Sequence, residues 1–202
     1  EQNETRYAHI QEENFPPVLS LNYKGPAFTV ENLDMAALDV IGSLAFSERS
    51  DIYKKLVVDE RKVRQLNAGG FNTVDPGLWS VDAILVNKED MTEVKNEIDE
   101  LIEKLKSEPV DSVELEQTKS HMKYGYAMNI DNPDAIANSL AWQVWLTGNP
   151  ATVNKTYANY DKVTPEVIMD VANRFLVSSK LTVSTISSDE KFQEAEDLNL
   201  DR

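Results

Sequence analysis

The chain contains no cysteine. Disulfides, thiol nucleophiles and thiolate metal sites are therefore excluded, while the redox compartment stays open because a cysteine-free chain suits either side of a membrane. Histidine is almost as scarce, with only His9 and His121. A zincin-type peptidase needs two imidazoles one helical turn apart and a carboxylate beside the metal-bound water. Neither histidine has another at i+3, i+4 or i+5, so both read as surface or hydrogen-bonded residues. No metal ligand and no catalytic residue is assigned, and no cofactor is expected in this chain. Long apolar runs are missing too, since none approaches the roughly 20 residues of a membrane helix. Basic clusters are also absent, and the formal net charge is −15. An acidic surface repels nucleic acid and anionic membranes, so neither is an expected partner.

Other catalytic signatures fail in the same way. No serine stands in Gly-x-Ser-x-Gly, and no Gly-x-Gly-x-x-Gly or Walker pattern follows a strand-like segment. The paired glycines Gly69 and Gly70 fall inside a strand pattern. The acids of "EVKNEIDELIEK" share the solvent side of an amphipathic helix, where a solvated face outweighs a calcium or acid/base site. Trp142, Trp145, Tyr157 and Tyr160 could line a ligand groove, though core and helix packing is the stronger reading of such a group.

What is present is enough for a core: 202 residues, 41% of them hydrophobic, are expected to make one compact domain. "TRYAHI" and "PVLSLNY" alternate as strands and predict a first hairpin. Leu33, Ala37, Leu38, Ile41, Leu44 and Ala45 then fall at helical spacing. "NAGGF" and "LWSVDAILV", joined across "DPG", predict a second hairpin. Asp90 and Glu93 stand at capping-box spacing before the apolar stripe Val94, Ile98, Leu101, Ile102, Leu105. Asp111 and Glu114 repeat that spacing before a further helix. Asp134 to Leu146 is apolar on most faces, predicting a buried helix ended by Gly148. Thr164-Pro165-Glu166 reads as N-cap, first-turn proline and early acid. "KLTVSTIS" alternates as a last strand, and an acidic tail, residues 189–202, follows. The order predicts an α+β fold, its largely antiparallel sheet carrying helices on one face. The stretch "SERSDIYKKLVVDERKVR" predicts a helix running into a strand, with Ile52, Leu56, Val63 and Tyr53 inward and Lys54, Lys55, Asp59 and Glu60 in water.

Taken in order, "PPVLSLNYKGPAF", "DMAALDVIGSLAF", "SDIYKKLVVDERKV", "SVELEQTKSHMKYGYAM" and "YDKVTPEVIMDVANRFLVSSKLTVSTI" resemble the C-terminal, non-catalytic (inactive) domain of the insulinase/pitrilysin-like zinc metallopeptidase family, peptidase M16. The resemblance covers residues 1–188. It implies a mixed, largely antiparallel sheet of about six strands with helices on one face, as in mitochondrial processing peptidase. It further implies a catalytic M16-type domain or subunit as partner, carrying zinc on His-x-x-Glu-His, the two halves closing over an unfolded peptide substrate. The non-catalytic half often contributes an Arg and, seven residues later, a Tyr at the metal site. Those positions fall on Val57 and Arg64, give or take one residue, and neither side chain matches. A valine donates no hydrogen bond, which leaves Arg64 as the candidate substrate-binding residue. The family's glycine-rich loop would fall near "SLAFSERS", which holds no glycine beyond Gly42. An alternative reading is a stand-alone interaction or structural module with no role in proteolysis. The chain begins at Glu1 without a basic, apolar leader, as expected of a mature or trimmed fragment. Bacterial members of the family are often exported, which tilts the expected compartment toward the periplasm, while the residues themselves leave it open.

Overall fold

The structure is a computed structural model, and it describes residues 2–190. Residues 191–202, most of the acidic tail, lie outside the described residues. Alternating sequence becomes sheet: β1 (Arg6–Gln11), β2 (Val18–Lys24), β3 (Val63–Gly70), β4 (Leu78–Leu85) and β5 (Leu181–Ser187). Between β2 and β3 lie α1 (Asp34–Phe46) and α2 (Asp51–Tyr53), the latter continuing as a π-helical stretch over Lys54–Asp59. Five helices follow β4: α3 (Met91–Ser107), α4 (Ser112–Asn129), α5 (Pro133–Thr147), α6 (Thr152–Lys162) and α7 (Pro165–Phe175).

The strand order is β1-β5-β2-β4-β3, giving the expected α+β class with five strands among the described residues rather than about six. Pairing is antiparallel except between β1 and β5, which run parallel. The predicted first hairpin does not form. β5 enters between β1 and β2, pairing Leu21 with Val183 on one side and Tyr7 with Val183 on the other. Alternation announces a strand but not its neighbour, and the chain between Gln11 and Val18 is no tight turn. The second hairpin does form, with Ala68 opposite Val81 and Gly70 opposite Trp79.

Period-two burial separates the two faces of the sheet. Leu19, Leu21, Tyr23, Trp79, Val81, Ala83, Leu85 and Val183 point into a core shared with Leu38, Ile41, Phe46, Leu56, Val94, Ile98, Ile168 and Val171 from the helices. Trp79 Nε1 donates to the Leu38 carbonyl at 3.2 Å, so the largest core side chain also satisfies its polar atom. The opposite face carries short polar side chains that bond one another. Ser80 Oγ donates to Asn22 Oδ1 at 2.8 Å, Asn22 Nδ2 reaches the Thr182 carbonyl at 3.3 Å, and Ser20 Oγ donates to Asp82.

Local signals hold at several helix ends. Asp111 accepts from the backbone N–H of Val113 and Glu114. Thr164 accepts from Val167 N–H with Pro165 behind it, and Gly148 closes α5 at φ 72°. Asp90 departs from expectation: it caps no backbone N–H of α3 and instead accepts from Asn87 Nδ2 at 3.3 Å, because a 3-10 turn at Lys88–Asp90 already occupies that end.

The largest departure is α5, expected to be buried. Its only buried side chain is Gln143, while Ile136, Trp142, Val144 and Trp145 are exposed. Trp142 and Trp145 stack on each other at 4.9 Å between ring centroids. Apolar composition does not say which side a helix turns to its neighbour, and here α5 lays Gln143 inward. The aromatic group therefore divides. Tyr157 and Tyr160 pack edge to face at 5.4 Å within the body of the domain, with Tyr126 against Tyr157 at 4.3 Å.

Candidate functional site

The charged stretch Ser47–Arg64 contributes Ser47, Glu48, Tyr53 and Arg64 to the lining of a cleft. Ser50 accepts from Tyr53 N–H at 3.3 Å and opens the helix. Ile52 and Leu56 are buried, Tyr53 is half-buried, and Lys54, Lys55, Asp59 and Glu60 face water, the arrangement expected from periodicity. Lys55 bonds Glu97 on α3, and Lys62 bonds Glu93 at 2.6 Å and Glu60 at 3.0 Å. These exposed pairs fasten the stretch to α3 and contribute little energy individually. Arg61 turns the chain at φ 54°, and Lys62 N–H returns to the Leu56 carbonyl at 3.0 Å, a helix ending usually given to glycine.

Val57 is half-buried and packs against the core. A residue in that place does structural work and projects no polar group. Arg64 lies elsewhere, at the start of β3, where the register steps between Val63 and Gln65 opposite Leu85 and Ile84. Arg64 is thus the extra residue of a β-bulge, a device that re-aims a side chain. It is exposed, and among the described residues no hydrogen bond or ion pair holds its guanidinium.

Arg64 opens onto a cleft of about 650 Å³ between α1 and β3. The helix side supplies Asp39, Gly42, Ser43 and Ser47, and the strand side runs from Arg64 to Ala68. Close approach is possible because Gly42 has no side chain: a Cβ there would stand 2.9 Å from the Ala68 carbonyl oxygen. β3 ends the sheet, so its outer edge has no strand partner among the described residues.

Asp39 is the residue that periodicity did not single out. It is half-buried, flanked by the fully buried Leu38 and Val40, and its Oδ2 accepts the Tyr160 hydroxyl at 2.9 Å. Burial pushes its carboxyl up to about 6, against the opposing pull of the Tyr160 hydrogen bond. Burial likewise pushes the Tyr160 hydroxyl up, reinforced by the adjacent Asp39 charge. One signal was legible: Asp39 is an acid inside the otherwise apolar run "MAALDVIG".

The two histidines lie apart from the cleft. His9 on β1 bonds Thr185 Oγ1 and the Asp189 carbonyl, each at 2.8 Å. His121 is exposed on α4. Among the described residues no group of three or more His, Cys, Asp or Glu could hold a metal ion, and no helix is long and apolar enough to cross a membrane.

Comparison with known proteins places these observations. The family described as the Peptidase M16 inactive domain matches residues 2–122, and the chain belongs to that family. Over 115 residues it is 24% identical to mitochondrial-processing peptidase subunit beta of Saccharomyces cerevisiae, covering 56% of this chain and 25% of that protein. It thus spans about a quarter of the curated relative's length. A protease from Helicobacter pylori superposes with a TM-score of 0.82 at 21% identity, over 92% of this chain and 44% of that one. The inactive peptidase domain of a zinc-protease-like protein of Bordetella parapertussis superposes with a TM-score of 0.72 at 19% identity, over 87% of this chain and 94% of that one. The fold is that of the M16 inactive domain.

Proposed function

We propose that this chain is the non-catalytic half of an M16-type zinc metallopeptidase. In this reading it encloses and grips a peptide, while a partner domain or subunit holds the zinc and performs hydrolysis. The observation that carries the reading is the edge strand β3 beside an open cleft. An extended peptide can add to such an edge through its backbone, while pockets alongside receive alternate side chains. Arg64, re-aimed by its bulge and held by no neighbour, is placed to meet a carboxylate or carbonyl of that peptide. The polar, helix-free face of the sheet suits a wall turned toward water, such as the lining of a substrate chamber.

The division of labour is tested on the full-length protein, or on this chain with its partner subunit, assayed with zinc and an unstructured peptide. Peptide hydrolysis is expected, with Arg64→Ala raising KM severalfold and changing kcat less. Absence of any His-x-x-Glu-His in the same or a neighbouring gene product, together with no hydrolysis, would favour the structural-module reading instead.

A further inference from the structure

The cleft contains an acid whose hydrogen bonding is half complete. Tyr160 donates to Oδ2 of Asp39, but Oδ1 accepts no hydrogen bond from a described residue and is not sealed from solvent. No lysine or arginine of the described residues pairs with Asp39. Besides Asp39, the charged residues lining the cleft among the described residues are Glu48, just beyond α1, and Arg64 on β3, and Tyr160 and Tyr157 approach Asp39 from α6. Two acids and one base leave the cleft short of positive charge within a chain that already carries −15. A carboxylate with one oxygen anchored and the other without a donor, in a residue that lines the cleft, is an acceptor for a cation.

From this geometry we propose that Asp39 is a specificity-determining residue that selects a lysine or arginine side chain of an extended peptide lying in the α1–β3 cleft. Tyr160 acts as its positioning residue, fixing the carboxylate from behind. The inference rests on the peptide-gripping role proposed above and names the side chain that this role would favour. Because burial raises the Asp39 carboxyl to about 6, the preference for a basic residue belongs to the ionised form. It should strengthen as pH rises through that value.

The test is fluorescence anisotropy on the 202-residue chain with a labelled, unstructured peptide. The peptide is acetylated and amidated, so that its termini carry no charge. One version has a single lysine and the other norleucine at the same place. Near pH 7.5 the lysine peptide is expected to bind about tenfold more tightly, and near pH 5 the preference should fall below about twofold. Asp39→Asn should abolish the preference at both values while keeping the Tyr160 contact. Tyr160→Phe should move the pH midpoint of the preference upward, since the hydrogen bond it removes holds the Asp39 carboxyl down. A purely structural role for Tyr160 would leave that midpoint in place. Equal binding of the two peptides near pH 7.5, or a preference that survives Asp39→Asn, overturns the proposal and leaves the cleft itself intact as a peptide site. Binding of neither peptide overturns the cleft reading and the proposal together.

Discussion

At the scale of single residues, several buried polar groups hold the domain together. Lys119 is 3% exposed, yet it is satisfied: its Nζ donates to the carbonyls of Val163 at 3.0 Å and Asp161 at 3.3 Å, and meets Glu116 at 2.6 Å. It closes the C-terminal end of α6, where carbonyls lack intrahelical donors and a cation opposes the helix dipole. Lys119→Met should therefore destabilise the fold by about 2–3 kcal/mol in urea denaturation, the cost of leaving buried carbonyls unpaired. A change below about 0.5 kcal/mol would show that water replaces the ammonium freely.

Asp39 gives a prediction of a different kind. An acid that binds its proton more tightly when folded favours the folded state at low pH. Its contribution is full below the ordinary value of 3.8 and is lost as pH rises through about 6. Asp39→Asn should thus gain about 1–2 kcal/mol relative to the parent near pH 7, a figure discounted for partial exposure, and the advantage should vanish below about pH 4. Denaturation of both proteins across that range checks it. Arg61 stands at φ 54°, where an L side chain costs about 1 kcal/mol. Arg61→Gly should recover about 0.5–1 kcal/mol, measured as an increased denaturation midpoint.

At the scale of elements, sequence patterns were most informative where the determining contacts are local. The stripe of α3, the caps at Asp111, Thr164 and Gly148, and the hairpin across Asp75–Gly77 all form, because each depends on residues within a turn or two of one another. The position of β1 was not legible, since its partner β5 lies at the far end of the chain. The exposure of α5 was hidden for the opposite reason: its composition is apolar on most faces, and only packing decides that Gln143 goes inward and Trp142 outward. Arg64 came from the family resemblance, as the position of the family's tyrosine, but the bulge that aims it depends on register with β4. Gly42 links element packing to the cleft. Gly42→Ala would place a methyl 2.9 Å from the Ala68 carbonyl oxygen, so α1 must move off β3. A loss of about 1–3 kcal/mol is expected, with weakened peptide binding in the cleft. An unchanged thermal midpoint would mean that the helix shifts without cost.

At the scale of the whole molecule, the features divide between two faces. One face of the sheet is closed by helices around an apolar core. The other carries a hydrogen-bonded layer of Ser20, Asn22, Ser80 and Asp82, while β3, at the end of the sheet, leaves an edge open beside the cleft it forms with α1. Among the described residues no group assembles a metal site, and the proposed division of labour gives the zinc to a partner and the peptide contact to this chain. The measurement that tests this account most directly is amide hydrogen exchange of the chain with and without an unstructured basic peptide. The account predicts slowed exchange confined to Val63–Gly70 and the facing part of α1, weakened by Asp39→Asn. Protection elsewhere, with β3 unchanged at saturating peptide, would contradict it.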